Sequence, residues 1–166
     1  IFDYNTDISK TRLLPKADFR KANQTLWKAL KSNKPIAFRA FGQSMHPFHP
    51  PGSLFLLEGY QQQPIKVGDL LLIEDDATPY LHRVIQLKRK TTLQITTKGD
   101  FSLFPDKPVS PTKCRAIAIE YIKGNRFISL QTLPQQCKAR IIAWISRILS
   151  LLFRCFRKLG PQRRKK

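Results

Sequence analysis

Ser44 is the residue of this sequence best placed to act as a nucleophile. It lies in the stretch Gly42-Gln43-Ser44-Met45-His46-Pro47, a turn that follows an alternating, strand-like segment. A serine hydroxyl becomes nucleophilic only when a base within hydrogen-bond reach takes its proton, and that base needs an orienting acid. Most serines in such turns satisfy only local backbone groups. A catalytic role for Ser44 therefore requires a base and an acid from elsewhere in the chain.

The candidate bases are the three histidines of the chain. His46 and His49 lie beside Ser44 in a segment broken by proline, whereas His82 lies inside the apolar run 80–85. A histidine among strand hydrophobes is usually a satisfied core residue, so position alone does not assign the base. His46 and His49 do not suggest a metal site either, because Pro47 prevents a helix that would align them and no third ligand is near.

The candidate acids are Asp100 and Asp106, which share one turn-rich loop. Asp100 follows Lys98-Gly99 at the end of a predicted strand, where a carboxylate often accepts backbone N–H bonds and fixes the turn. Asp106 lies six residues further on, where the loop could fold back over the active site. Physical reasoning leaves both open, since either could reach the His82 ring in some loop conformation.

Seven short strand-like segments must position these residues, and each is bounded by a turn signal. They are Ile36–Phe41, Leu54–Glu58, Leu70–Glu74, Leu81–Leu87, Leu93–Thr97, Ala116–Ile122 and Arg126–Leu130. Many short strands separated by turns predict a mainly β domain, a closed or partly closed antiparallel structure. Before it, Asp18 can cap a helix that ends at the Lys34-Pro35 breaker. We expect an N-terminal extension and helix over 1–35 and a catalytic β-domain over 36–130.

Residues 138–166 are predicted to form an amphipathic basic helix and tail. On a helical wheel, basic and serine side chains gather on one side, and large apolar residues fill the other. Gly160-Pro161 predicts the end of the helix, and a basic tail follows. Such a helix should lie flat, either on a membrane surface or on the β-domain.

The charge composition limits the class of binding partner. The chain carries 30 Lys and Arg against 11 Asp and Glu, a net charge of +19, and no acid lies between Lys138 and Lys166. This asymmetry indicates an anionic partner, a nucleic acid or an acidic membrane surface. No apolar run approaches the ~20 residues of a spanning helix. The chain opens at Ile1 rather than Met, so the sequence leaves N-terminal targeting open.

The cysteine and glycine patterns argue against disulfide-rich, zinc-binding and nucleotide-binding proteins. Cys114, Cys137 and Cys155 are odd in number and form no C-x-x-C pair, which argues against a disulfide-stapled module and a Cys-based zinc site. No phosphate-binding loop or dinucleotide fingerprint is present. We therefore expect neither a cofactor nor a metal.

Four ordered segments together resemble a known family. Gly42-x-Ser44-Met45-x-Pro47 is followed by Gly68-Asp69 with an apolar run, by Leu81-His82-Arg83-Val84-Ile85, and by Thr97-Lys98-Gly99-Asp100. This order resembles the clan of signal peptidase I and LexA-type serine peptidases over about residues 36–122. The His82-Arg83-Val84 element is similar to the archaeal and endoplasmic-reticulum branch, which has histidine where bacterial enzymes carry a catalytic lysine.

The resemblance implies a β-rich catalytic domain that hydrolyses peptide bonds near small residues, with Ser44 as nucleophile and His82 as base. In the endoplasmic-reticulum enzymes the orienting acid lies about six residues beyond the Lys-Gly-Asp aspartate, which favours Asp106 and leaves Asp100 a supporting acid. Met45 would help line a shallow groove for an extended peptide. Where many signal peptidases have a serine for the oxyanion, this chain has Gly42, which leaves that task to backbone N–H groups, including that of Ser44.

The sequence departs from signal peptidases at its ends, because no N-terminal anchor is visible and a basic helix closes the chain. This suggests the short bacterial relatives without a spanning anchor. We expect a peptide or precursor-protein substrate, an anionic membrane surface as partner of the C-terminal helix, and peripheral association with the cytoplasmic face. Two alternatives stay open: a LexA-like self-cleaving DNA-bound regulator, and a non-catalytic membrane-docking β-module. Only about 35 residues precede the β-region, short for a helix-turn-helix domain, which argues against nucleic acid.

Overall fold

The computed structural model describes residues 25–26, 28–31, 34–74, 79–89, 91–123 and 126–159. The predicted mainly β architecture is confirmed: seven antiparallel strands form one sheet, and one long helix follows. The strands are β1 (Ile36–Arg39), β2 (Leu54–Gly59), β3 (Leu70–Ile73), β4 (Tyr80–Arg89), β5 (Leu93–Lys98), β6 (Cys114–Lys123) and β7 (Arg126–Ser129). Each predicted segment corresponds to one observed strand, with ends that differ by at most two residues.

The strands follow the order β1-β2-β6-β3-β4-β5, and β7 pairs with β6. Within the described residues β1 and β5 are therefore the two edge strands of this path. The segments that follow these two strands meet: the backbone N–H of Phe101, after β5, donates to the carbonyl oxygen of Ser44, after β1 (2.8 Å). This bond joins the two segments at the candidate nucleophile.

Two apolar clusters fill the two faces of the sheet. One contains Phe55, Leu57, Leu70 and Leu72 with residues of β6. The other contains Leu71 and Ile73 with residues of β4 and β5. All four residues of β3 are buried, since this central strand is covered on both faces. The covered centre makes β3 and β4 rigid supports for the side chains they present.

The N-terminal helix prediction falls partly outside the described residues. Residues 25–26 and 28–30 are helical, and Leu30 is buried in the first cluster. Gly59 allows this contact, because a Cβ at that position would lie 2.3 Å from the Leu30 carbonyl oxygen. The start of the helix at Asp18 lies outside the described residues.

The C-terminal helix, α1, spans Leu133–Leu159 and ends just before Gly160-Pro161. It begins five residues earlier than the sequence pattern indicates, since Pro134 fits the first turn of a helix. Its first turns pack on Gly68, whose φ of +104° and missing side chain let Ala139 approach; a Cβ there would lie 3.0 Å from the Ala139 carbonyl carbon. None of the helices in the described ranges combines the length and the apolar character needed to cross a bilayer.

Candidate active site

Ser44 lies in a compact turn between β1 and β2. The N–H of His46 donates to the Gln43 carbonyl (3.0 Å), and the N–H of His49 donates to the Met45 carbonyl (3.0 Å). The Phe101 bond to the Ser44 carbonyl ties this turn to the end of β5. The backbone on both sides of Ser44 is therefore held by hydrogen bonds, which limits where its hydroxyl can point.

His82 is the third residue of β4 and makes two hydrogen bonds through its ring. Nε2 lies 3.0 Å from Ser44 Oγ, and Nδ1 lies 2.7 Å from Asp106 Oδ2. An ionised carboxylate only accepts hydrogen bonds, so Nδ1 carries the proton and Nε2 is left to accept the proton of the Ser44 hydroxyl. The three groups have the arrangement of a serine–histidine–acid relay, in which the histidine can activate the serine and the acid can orient the histidine.

The position of Asp106 is fixed by Thr97 of β5. The Asp106 N–H donates to the Thr97 carbonyl (2.9 Å), and Thr97 Oγ1 donates to Asp106 Oδ2 (2.7 Å). The carboxylate oxygen that accepts from His82 thus accepts a second hydrogen bond. Further along, Ile95 and Val109 exchange two backbone hydrogen bonds, so the chain after Asp106 runs back along the edge of β5. The loop folds back in the way that brings Asp106, rather than Asp100, to the histidine.

Asp100 contacts Arg83 and not His82. Arg83 Nε and Nη2 donate to the two Asp100 oxygens at 2.8 Å each, and Nη1 donates to the Gly68 carbonyl at 3.1 Å. The two side chains are only 3% and 1% exposed. A buried bidentate pair acts as a structural clamp, because removing either partner would leave a buried charge unpaired. Asp100 therefore holds Arg83 and does not contact the His82 ring.

Gly99 allows the close approach of β5 to the nucleophile. A Cβ at Gly99 would lie 2.7 Å from the Ser44 carbonyl oxygen, 2.8 Å from Ser44 Cβ and 2.7 Å from Ser102 Oγ. Real side chains do not tolerate such distances. The glycine of Lys98-Gly99-Asp100 is therefore required for steric reasons at this junction.

Met45 does not line a peptide groove, and this prediction is wrong. Its side chain is 3% exposed and belongs to the core cluster that includes Leu30 and Phe55. Directly after Ser44 the chain turns inward, and the long apolar side chain fills the space beneath the turn, where burial is more favourable than exposure. Met45 therefore anchors the turn.

Gly42 lies on the exposed side of the same turn, where a Cβ would meet no atom within 4 Å.

Three contributors to the site were not identified from sequence. Thr97 orients Asp106, Arg83 clamps Asp100, and Gly99 makes room for Ser44. The sequence contains a weak indication of a role for Arg83 and Thr97, since both lie in the segments that carry the resemblance and are polar residues in apolar strands. A buried polar residue on a central strand usually has a specific partner.

Besides Arg83, two further buried basic groups lie near the site, His49 and Lys98. The pKa of His49 is lowered to about 4, first by burial and then by the nearby Arg83 charge. Its ring packs edge-on against Phe55 and Tyr121. Burial also lowers the pKa of Lys98, whose Nζ donates to Ser146 Oγ of α1 (2.7 Å). His49 is thus neutral at pH 7 and serves the core rather than the proton relay.

The assembled groups can do nucleophilic chemistry on a carbonyl, because a hydroxyl, an imidazole and a carboxylate lie in sequence at hydrogen-bond distances. Among the residues that the structure describes, no group of three or more His, Cys, Asp or Glu side chains could hold a metal ion. A scan against models of known protein families finds none that matches this chain.

Proposed function

We propose that this protein is a serine endopeptidase of the signal-peptidase type, with Ser44, His82 and Asp106 as its catalytic triad. The single observation that carries the proposal is the continuous relay from Ser44 Oγ through His82 to Asp106, at 3.0 and 2.7 Å. These residues come from three separate parts of the chain. Neither core packing nor strand pairing requires a serine, a histidine and an aspartate to meet in this way.

In the proposed mechanism, Ser44 Oγ attacks the scissile carbonyl carbon while His82 Nε2 takes its proton. Asp106 holds the imidazole in the required tautomer and stabilises the imidazolium that forms. His82 then donates the proton to the leaving amine, and the acyl-enzyme is hydrolysed by a water that His82 activates in the same way. Thr97 supports the relay, because its hydroxyl bond keeps Asp106 Oδ2 facing His82 Nδ1.

The oxyanion of the tetrahedral intermediate requires donors next to Ser44. The Ser44 N–H makes no hydrogen bond to another described residue, so it can donate to such an oxygen. Gly42 contributes no side-chain donor. We therefore assign the oxyanion task to backbone N–H groups of the turn, with that of Ser44 as the first.

An extended peptide is the substrate that suits the surroundings of Ser44. Within the described residues, β1 pairs only with β2, so its other edge is open to an added strand, and the chain leaves β1 at Arg39 and reaches Ser44 five residues later. Addition of a substrate strand to such an edge supplies backbone hydrogen bonds and places a peptide bond near the nucleophile. This geometry favours a flexible segment of a precursor protein over a folded substrate.

The test is covalent labelling of the purified protein with a fluorophosphonate probe, followed by mass spectrometry of the modified peptide. We expect modification of Ser44, no modification in Ser44→Ala, and strongly slowed modification in His82→Ala. Ser53→Ala is a matched control, since Ser53 Oγ donates to the Pro50 carbonyl in the same loop and takes no part in the relay. A folded protein that is not labelled, or is labelled equally in Ser44→Ala, would contradict the proposal.

The same preparations test the LexA-like alternative. A self-cleaving regulator would yield two fragments on standing, and Ser44→Ala would keep the chain intact. An endopeptidase acting on other proteins would stay intact in both forms while it cleaves an added peptide library.

A further inference from the structure

The C-terminal helix α1 packs on the β-domain through its small residues. Ala143, Ser146 and Ser150 are buried on this seating face. Lys98 Nζ donates to Ser146 Oγ, and Ser150 Oγ lies 2.9 Å from the Ser146 carbonyl and 3.3 Å from the Leu103 carbonyl of the active-site loop. The serines that the helical wheel groups with the basic residues therefore face the protein and not the solvent.

The large apolar side chains of the same helix point away from the domain. We define its apolar face as the residues that lie opposite the seating face and are 47% to 65% exposed: Ile141, Trp144, Ile145, Leu149 and Leu152. A surface helix normally buries its large hydrophobes and exposes its small and polar residues. The reversed arrangement leaves a continuous exposed apolar strip, which is typical of an interaction surface.

A row of positive charge borders the apolar face. Arg140, Arg147 and Arg154 are exposed and recur every seventh residue, so they lie along one flank of the helix. No acidic residue occurs between Leu133 and Leu159. An apolar strip with a basic flank matches the two layers of a membrane surface, acyl chains beneath and anionic headgroups above. Trp144, 65% exposed, has the amphipathic ring that such an interface favours.

The charges argue against a second copy of this chain as the occupant. Antiparallel pairing of two α1 helices through their apolar faces would bring the two rows of arginine to the same side, with no carboxylate on either helix to neutralise them. A nucleic acid would engage the arginines but would leave the apolar face in water. An anionic lipid surface satisfies both features at once.

We propose that α1 docks its apolar face into the interfacial region of an anionic phospholipid bilayer, with the arginine row on the headgroups. The helix lies parallel to the surface and remains seated on the β-domain. The hydrogen bond from Ser150 Oγ to the Leu103 carbonyl ties the docked helix to the loop that carries Asp106. This proposal does not depend on catalysis.

The experiment is co-sedimentation of the full chain with vesicles, carried out in the Ser44→Ala background so that proteolysis plays no part. One vesicle set contains phosphatidylcholine alone, and the other contains equimolar phosphatidylcholine and phosphatidylglycerol. We expect binding to the anionic set and little to the neutral one. The combined variant Ile141→Ser, Trp144→Ser and Leu152→Ser should weaken partitioning roughly tenfold or more, since it removes most of the inserted apolar area.

A pair of charge variants separates local from overall electrostatics. Arg147→Gln with Arg154→Gln should weaken binding to anionic vesicles roughly tenfold or more, given about 1 kcal/mol for each basic residue at the surface. Lys31→Gln with Lys34→Gln removes the same charge from exposed positions before β1 and should change binding less than about twofold. Thermal unfolding of each variant, followed by circular dichroism, verifies that it is folded.

Each other outcome overturns the proposal. A folded protein that does not sediment with anionic vesicles excludes the lipid surface, and equal binding to neutral vesicles excludes the charge selectivity. Binding that survives the apolar variant would mean simple electrostatic adsorption. A concentration-dependent dimer in sedimentation velocity, lost in the apolar variant and accompanied by no vesicle binding, would instead assign the face to contact between copies.

Discussion

His82 and Arg83, consecutive residues of β4, bind different aspartates of the same loop. Successive side chains of a strand point to opposite faces, so His82 reaches Asp106 on one side and Arg83 reaches Asp100 on the other. Two neighbouring residues of β4 therefore hold the loop after β5 at two points. We infer that the His82–Asp106 contact serves the proton relay and that the Arg83–Asp100 contact holds the loop in place.

Loss of the nucleophile or the base should abolish activity without unfolding the protein. We expect Ser44→Ala and His82→Ala each to lower the rate of peptide hydrolysis by roughly 10³-fold or more, because coupled members of a triad act together in the transition state. His82→Lys should not restore the rate, since a lysine base requires a desolvated pocket that lowers its pKa. Hydrolysis is measured on a substrate selected from a peptide library; unchanged cleavage by His82→Ala would refute the triad.

Asp106 should matter for rate and not for folding. Asp106→Asn is expected to reduce the hydrolysis rate by as much as ~10⁴-fold, because the amide no longer keeps the imidazole in the productive tautomer. Thr97→Val, which removes one hydrogen bond to the same oxygen, should cost roughly tenfold. Both variants should unfold at denaturant concentrations close to that of the parent protein. A rate loss in Asp100→Asn but not in Asp106→Asn, with both folded, would reverse the assignment.

Asp100 should matter for stability. Asp100→Asn is expected to lower the free energy of unfolding by about 3 kcal/mol, since it leaves the Arg83 guanidinium buried without its carboxylate. Chemical denaturation at pH 7 measures the change. Glu58→Gln, which neutralises an exposed carboxylate on β2, is the control and should change stability by less than about 0.5 kcal/mol. The double variant Arg83→Met with Asp100→Leu should recover part of the loss; a stable, folded Asp100→Asn would contradict the clamp.

Gly99 should be required for activity because of the space it leaves. Gly99→Ala places a Cβ against the backbone of Ser44, so the strand end or the nucleophile must shift. A displacement of about 1 Å at a reacting group typically costs on the order of 10²-fold in rate. Gly42→Ala is the control for stability, since its Cβ would meet no atom within 4 Å. Full activity in Gly99→Ala would show that the turn can relax without moving Ser44 Oγ.

Stability should fall in mild acid because of His49. Its pKa is about 4 in the folded protein and near 6.5 when unfolded, so between these values the unfolded chain binds more protons and stability decreases as the pH falls. The loss reaches roughly 3 kcal/mol below pH 4, at about 1.4 kcal/mol for each pH unit. Arg83, Asp100 and Lys138 are the charged groups that also act on the ring.

The contribution of His49 is the difference between the acid-induced loss of stability in the parent protein and that in His49→Phe, since all other titrating groups are common to both. Urea denaturation at pH 7 and at pH 4.5 should show a smaller acid loss in the variant, whose ring can keep the edge-on contacts with Phe55 and Tyr121. An equal loss in both proteins would mean that His49 is not the group that titrates.

The sequence by itself determined the seven strands, because alternating apolar residues and the turn signals between them act locally. It also singled out Ser44 and His82, through four segments in a characteristic order. The mainly β architecture was predictable for the same reason. None of this required knowledge of which strands are neighbours.

Only the tertiary structure shows which of Asp100 and Asp106 lies against His82. Both lie in one loop, and their distances to His82 depend on how the chain after Asp106 pairs with Ile95 and on which face of β4 each meets. The burial of Met45 was decided in the same way, since a residue after a turn enters the core only if space exists beneath it. The two faces of α1 were visible in its periodicity, but the side that packs depends on steric fit: Ala139 lies close to the sheet at Gly68, where larger side chains would not fit.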